Sequence, residues 1–195
     1  MIGIIDYGAA NIRSVCNALE RIGAGSFVSG DPAQLDRATR LILPGVGSAK
    51  SAIGMLRSRG LAEWIRLNGK PLLGICLGMQ LLYEYSDEGS APCLGMMKGT
   101  IHRFTGNDIK VPHIGWNTVR PTIPEPLFSG LEDGAYFYFV HSYFAAISPQ
   151  TVAVTDHGGE FSSVVACGNI RGVQFHPEKS GPAGLRLLRN FIEHC

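Results

Sequence analysis

The chain has 195 residues, 45% hydrophobic and 17% charged, with 25 glycines and a formal charge of +1 from 17 basic and 16 acidic side chains. That length suits a single domain, residues 1–195, with room for a substantial core. No polybasic run invites nucleic acid or an anionic membrane, no apolar run is long enough to span a bilayer, and Met1-Ile2-Gly3-Ile4-Ile5-Asp6 lacks the basic lead of a secretion signal.

Ile2–Asp6 is predicted as a strand. A helix follows over Asn11–Ile22, where Ile12, Val15, Cys16, Leu19 and Ile22 recur at helical spacing. Arg40–Leu43 reads as a strand ending at Pro44-Gly45, and helical patterns follow over Ala49–Arg59 and Leu61–Leu67. Pro71–Cys76 reads as a buried strand and Leu77–Tyr85 as the helix after it. This alternation predicts an α/β fold with a mainly parallel sheet and helices on both faces. The low charge and abundant glycine fit strands buried on both sides.

The second half changes character. Thr100–Phe104, Gly115–Arg120, Ala135–Ala146, Thr151–Asp156 and Phe161–Ala166 read as strands with few helices between them, so antiparallel pairing is expected there. Pro121–Pro126, with three prolines in six residues, reads as an ordered loop rather than a linker. Gly172–His176 returns to a buried strand, and Pro182–His194 is an amphipathic helix with Leu185, Leu188, Phe191 and Ile192 inward.

The five cysteines, at positions 16, 76, 93, 167 and 195, are odd in number and widely spaced, and none falls in a Cys-x-x-Cys pair. This pattern argues against a disulfide framework and a zinc site, and no metal or cofactor is expected. A reducing cytoplasm suits it, because a thiolate survives there as a nucleophile.

One cysteine stands apart. In Pro71-Leu-Leu-Gly-Ile-Cys76-Leu-Gly-Met-Gln80 a strand runs into Cys76 and a helix starts after it, with Gly74 and Gly78 two residues to either side. This is a thiol version of the Gly-x-Ser-x-Gly nucleophile elbow. The glycines let the backbone turn tightly around a strained residue. The positive end of the new helix favours the thiolate, and the Leu77 N–H is free to stabilise an oxyanion. Free cysteines ordinarily pack as small apolar groups, and the other four keep that reading.

A thiol nucleophile needs a base, and the base an orienting group. Gly172-Val-Gln-Phe-His176-Pro-Glu178-Lys-Ser supplies both. His176 ends an apolar strand, Pro177 holds it extended, and in an extended segment Glu178 projects to the same side. The alternative is a helix-start turn with a solvated glutamate. Leu43-Pro-Gly45-Val-Gly47 follows another strand, and its glycines free the backbone to aim N–H groups inward. On its own it reads better as an ordinary glycine-rich βα turn, and no Walker or Gly-x-Gly-x-x-Gly pattern supports phosphate binding.

Pro44-Gly-Val-Gly47, Gly74-Ile-Cys-Leu-Gly-Met-Gln80 and Gln174-Phe-His-Pro-Glu178 together resemble the class I (triad) glutamine amidotransferases. Asp6-Tyr-Gly8, Asn11-Ile-Arg-Ser-Val15, Lys110-Val-Pro-His-Ile-Gly-Trp-Asn117 and Tyr138-Phe-Val-His-Ser-Tyr143 extend the resemblance over the whole chain. They point to one branch, the glutaminase subunits of imidazole glycerol phosphate synthase in histidine biosynthesis. The resemblance implies a flavodoxin-like three-layer fold with a mixed, mostly parallel central sheet. It implies hydrolysis of L-glutamine through a Cys76 thioester, with His176 and Glu178 as acid–base pair. Gly45, Val46 and Leu77 would form the oxyanion hole, and Gly47, Gln80, Ser142 and Tyr143 would hold the glutamine. The implied partner is a (β/α)8-barrel cyclase, bound as a heterodimer, that receives ammonia through its barrel. Asn11, Trp116, Asn117, Tyr138 and Lys179 would lie at or near the face it covers. Without the resemblance, Trp116 and Tyr138 read as core aromatics and Lys179 as a solvated charge.

The chain departs from the family pattern in two places. Ala9-Ala10 stands where the family usually has a glycine before the asparagine, and Ala49 where an aromatic is common. Competing readings are a paralogous subunit that feeds ammonia to a different synthase and a silent scaffold for the cyclase.

Overall fold

Ile2, Gly3, Ile4 and Ile5 are buried without a break, as a strand covered on both faces must be. In the computed structural model, which describes residues 1–8, 11–106 and 109–195, this strand lies inside a large mixed sheet. The departure at Ala9-Ala10 lies outside the described residues. In chain order the elements are β1 (Ile2–Ile5), α1 (Ile12–Arg21), β2 (Ser26–Ser29), α2 (Pro32–Leu35), β3 (Arg40–Leu43), α3 (Ala49–Ser58), α4 (Leu61–Leu67), β4 (Leu72–Ile75), α5 (Leu77–Leu81) and β5 (Tyr83–Ser86). They continue with β6 (Ala91–Pro92), β7 (Met97–Arg103), β8 (His113–Thr118), β9 (Arg120–Pro121), β10 (Tyr136–His141), β11 (Tyr143–Ala145), β12 (Thr151–Asp156), β13 (Glu160–Cys167), β14 (Ile170–Val173) and α6 (Gly181–His194).

The strands β2-β1-β3-β4-β14 form the parallel body of the sheet. Beyond β14 the order continues through β13, β11 and β7, which pair antiparallel in turn. Val15, Leu19, Leu187, Leu188 and Phe191 of α1 and α6 pack on one face. Ile53, Leu56, Leu61 and Ile65 of α3 and α4 pack on the other, which gives three layers. A separate antiparallel ribbon, β8 with β10, pairs Trp116 with Tyr138 and His113 with His141.

Three expectations from the sequence need correction. The helix predicted over Leu77–Tyr85 stops at Leu81, and Tyr83–Ser86 is a strand paired with β7. Tyr83 and Ser86 are buried while Glu84 is exposed, so burial against the sheet outweighs the weak helical pattern. The strand predicted over Gly172–His176 covers Ile170–Val173 instead, so His176 lies beyond its end. The run Ala135–Ala146 is two strands: Tyr136–His141 joins the ribbon and Tyr143–Ala145 joins the main sheet, with the switch at Ser142. Strand β2 and helix α2 lacked a clear pattern. Helix α2 is started by Asp31, whose side chain accepts the Ala33 N–H, and by Pro32 in its first turn.

Candidate active site

Cys76 sits between β4 and α5 with φ 53° and ψ −112°, a left-handed conformation strained for any residue with a Cβ. Its N–H donates to the Val173 carbonyl at 2.8 Å and its carbonyl accepts from Gln80 N at 3.2 Å, pinning it between the sheet and the new helix. The flanking glycines Gly74 and Gly78 do not themselves take positive φ. They permit close approach. A Cβ on Gly74 would come within 2.8 Å of the Gly78 carbonyl, one on Gly45 within 2.6 Å of Gly78 N, and one on Gly78 would collide with the Leu43 carbonyl. The ends of β3 and β4 thus press directly on the backbone of α5 and force the turn. Helix α5 has only five residues, so little of the thiolate's support can come from its dipole.

His176 is positioned by its neighbours on both sides. Its N–H donates to the Tyr138 carbonyl at 2.9 Å, and Ser180 Oγ donates to its carbonyl at 2.6 Å. A short 3-10 turn over Pro177–Lys179 carries Glu178 back, with Oε1 2.8 Å from His176 Nδ1. The carboxylate thus arrives through a turn and not through strand alternation. Both side chains are almost wholly buried, at 4% and 1% exposure. Burial by itself opposes charge on the imidazole. Contact with the Cys76 sulfur and with Glu178 overcomes that and pushes the His176 pKa up to about 10. The arrangement holds a proton on His176 beside the sulfur.

A cavity of about 350 Å³ opens onto these groups, lined by Gly45, Val46, Gly47, Leu77, Gln80, Ser142, Tyr143, His176 and Lys179. Val46 turns its side chain toward solvent at 40% exposure, and Gly47 adopts φ 91°. Gln80 donates from Nε2 to the Tyr143 carbonyl at 2.8 Å and to Gln174 Oε1 at 2.9 Å. Gln174 Nε2 in turn donates to Cys76 Sγ at 3.7 Å.

Sequence reasoning assigned no role to Gln174 and missed Glu88. Glu88 lines the same cavity, and its Oε2 accepts the Ala49 N–H at 2.7 Å. Burial raises its pKa while that hydrogen bond works against the rise. Ala49, the second departure, is fully buried, and its backbone N–H makes this contact. Reading Leu77–Tyr85 as one helix hid Glu88, because only the β5 strand brings it back over the cavity.

The residues expected at a partner face divide in two. Trp116 is 56% exposed, so it is not a core aromatic. Its ring centroid lies 6.1 Å from that of Tyr138, over which Lys179 Nζ sits at 5.9 Å. Asn11 begins α1, where its Oδ1 accepts from Ser14 Oγ at 3.0 Å. Asn117 points the other way: its Nδ2 donates to the Asp156 carbonyl at 2.9 Å and to His113 Nε2 at 3.2 Å. In a strand, neighbouring residues face opposite sides, so Trp116 and Asn117 cannot both look outward.

Among the described residues no group of three or more His, Cys, Asp or Glu side chains could hold a metal ion, and no helix is long and apolar enough to cross a membrane.

Comparison with known proteins agrees with this geometry. The chain is 49% identical over 193 residues to imidazole glycerol phosphate synthase subunit HisH of Xanthomonas euvesicatoria pv. vesicatoria, covering 98% of this chain and 96% of the relative. It is 46% identical over 191 residues to the HisH subunit of Mannheimia succiniciproducens, covering 98% of both chains. Its fold matches a crystal structure of a glutamine amidotransferase with a TM-score of 0.77 at 20% identity, over 98% of this chain and 97% of the other. The family model for glutamine amidotransferase class-I matches residues 3–195. A match that spans nearly every residue, elbow and cavity included, means that this chain belongs to the class-I glutamine amidotransferase family.

Proposed function

We propose that the chain is the glutaminase subunit of an imidazole glycerol phosphate synthase, hydrolysing glutamine to glutamate and ammonia. The observation that carries the chemistry is His176, held by the Glu178 carboxylate and with its pKa raised, beside the Cys76 sulfur on a strained elbow. His176 takes the Cys76 proton, the sulfur attacks the side-chain amide carbon, and the oxyanion is met by N–H groups of Leu77 and of the Gly45–Val46 strand. His176 gives its proton to the departing nitrogen, the C–N bond breaks, and a glutamyl thioester remains. Water then attacks the thioester with His176 as base, releasing glutamate and restoring the thiol. Glu178 holds the imidazole throughout. Gly47, Gln80, Ser142 and Tyr143 line the space for the substrate, and the Glu88 carboxylate is placed to meet its α-ammonium group.

The homology to HisH subunits supports a synthase partner, here a (β/α)8-barrel cyclase. Trp116, Tyr138 and Lys179 offer an aromatic and cationic patch for it beside the cavity mouth. Docking there would keep ammonia from becoming unreactive ammonium in bulk water. The five free cysteines suit a reducing cytoplasm.

The test is glutamine-dependent synthesis in the presence of the cyclase and its ribulosyl substrate. Cys76→Ala should abolish it while ammonia-dependent synthesis persists. Unaltered glutamine-dependent synthesis would overturn the mechanism. Failure of any histidine-pathway cyclase to stimulate hydrolysis would move the assignment to a paralogous synthase.

A further inference from the structure

Two buried histidines outside the proposed catalytic set form a directed hydrogen-bonded string. His141 Nδ1 lies 2.8 Å from the Tyr143 carbonyl, and its Nε2 lies 3.0 Å from His113 Nδ1. His113 Nε2 lies 3.2 Å from Asn117 Nδ2. A carbonyl can only accept, so His141 donates from Nδ1. Burial above all, with neighbouring imidazoles adding to it, lowers the pKa of His141 to about 3 and that of His113 to about 4. Both rings are therefore neutral near pH 7, and each carries one proton. The bare Nε2 of His141 must accept from His113 Nδ1, and the bare Nε2 of His113 must accept from the Asn117 amide. Asn117 cannot be turned around, because its Oδ1 accepts the Thr118 N–H at 2.8 Å. Every donor and acceptor in the string is matched, and both imidazoles are set in the Nδ1–H tautomer.

The string reaches the cavity, which His141 itself helps to line. The Tyr143 carbonyl accepts from His141 and also from Gln80 Nε2 at 2.8 Å. The second Gln80 hydrogen goes to Gln174 Oε1, which leaves the Gln174 amide nitrogen facing the Cys76 sulfur. A misplaced Tyr143 carbonyl would release Gln80, and Gln80 would release Gln174. Aromatic packing holds the rings in plane: His113 stacks on Phe139 and on His157 with centroids 4.8 Å and 4.1 Å apart.

We propose that His113 and His141 are positioning residues that fix the Tyr143 carbonyl, and through Gln80 and Gln174 the hydrogen bond to the Cys76 sulfur. A neutral amide donating to sulfur stabilises the thiolate more than the thiol. The string therefore tunes the nucleophile through Tyr143, Gln80 and Gln174 rather than by contact with the sulfur. It also starts at Asn117, on the strand whose Trp116 faces outward, so the strand that offers the partner its tryptophan also anchors the string. The proposal rests on Cys76 being the nucleophile.

Two measurements test it. Long-range proton–nitrogen NMR on the wild-type chain near pH 7 should show both imidazoles neutral with the proton on Nδ1. A proton on Nε2 of His141, or a doubly protonated ring, overturns the string. Secondly, alkylation of Cys76 by iodoacetamide, read on its own peptide by mass spectrometry, should slow by about tenfold in His113→Phe, the scale expected for losing one buried hydrogen bond. His113→Asn keeps a donor on the Nδ1 side and should recover most of the rate. Glutamine hydrolysis by the complex with its synthase should follow the same order. Wild-type alkylation and hydrolysis in a folded His113→Phe chain overturn the proposal. If that variant does not fold, the tautomer measurement and His113→Asn still decide it. Persistent glutamine-dependent synthesis in Cys76→Ala would instead overturn the nucleophile assignment, so the two failures are distinguishable.

Discussion

His176 Nδ1 lies 2.8 Å from Glu178 Oε1 with both side chains sealed from solvent. Replacing Glu178 with Gln keeps the shape and removes the charge that supports the imidazolium. Glutamine hydrolysis should fall on the order of a hundredfold or more, since a positioned acid–base group contributes that much. The pair should also leave a pH signature in stability. The folded-state pKa of His176 is raised from 6.5 to about 10. Its contribution is therefore complete below about pH 6.5 and is lost as the pH climbs through about 10. In urea unfolding, the deficit of Glu178→Gln should be largest near pH 6, at about 3 kcal/mol for a broken buried pair, and should shrink toward pH 10. An equal deficit at both ends would refute the assignment of charge.

Glu88→Gln separates substrate binding from chemistry. Under the proposed reading the variant loses a charge-assisted contact to the α-ammonium group and keeps the acceptor for the Ala49 N–H. KM for glutamine should rise by about ten- to a hundredfold, in line with about 1.5–3 kcal/mol for such a contact, with a smaller effect on kcat. An unchanged KM in steady-state assays would remove Glu88 from the substrate site.

The glycines around the elbow answer to sterics, so two substitutions should differ in sign. Gly78→Ala drives a methyl into the Leu43 carbonyl and should cost about 3 kcal/mol, the upper end of overpacking, or prevent folding. Gly54 lies in the middle of α3, where an added methyl would meet nothing within 4 Å. Gly54→Ala should stabilise by about 0.5–1 kcal/mol. Thermal melts of both variants check the contrast.

Trp116 and Asn117 are adjacent yet should behave oppositely. Trp116→Ala removes an exposed ring and should leave the melting temperature of the free chain nearly unchanged. Its affinity for the proposed cyclase partner should weaken by about tenfold or more, as for a central interface tryptophan. Asn117→Ala strips three internal hydrogen bonds and should lower the melting temperature first. Titration calorimetry and melting curves on both chains discriminate the roles, and a stability loss in Trp116→Ala with unchanged affinity would place the partner elsewhere.

Much of this molecule was legible in local sequence. Alternating strands and helices along residues 2–76, β2 and α2 excepted, announced β1, β3 and β4 of the parallel body, because helical and strand periodicities are written within about ten residues. The Gly74-Ile-Cys-Leu-Gly78 elbow was readable for the same reason. What the glycines do there was not: Gly78 is small because the Leu43 carbonyl lies against it, and no local pattern records a neighbour from another strand. Likewise, residues 77–85 hold enough helix formers to suggest one helix, and only pairing of Tyr83–Ser86 with β7 ends it early and brings Glu88 to the cavity. The sequence by itself determined which chemical groups are available, a thiol on a forced turn and a histidine two residues from a carboxylate. Tertiary structure decided which of them meet: Gln174 at the sulfur, His113 behind His141, Asn117 inward and Trp116 outward. Those meetings depend on strand order and register, which are set by burial across the whole chain rather than by any one segment.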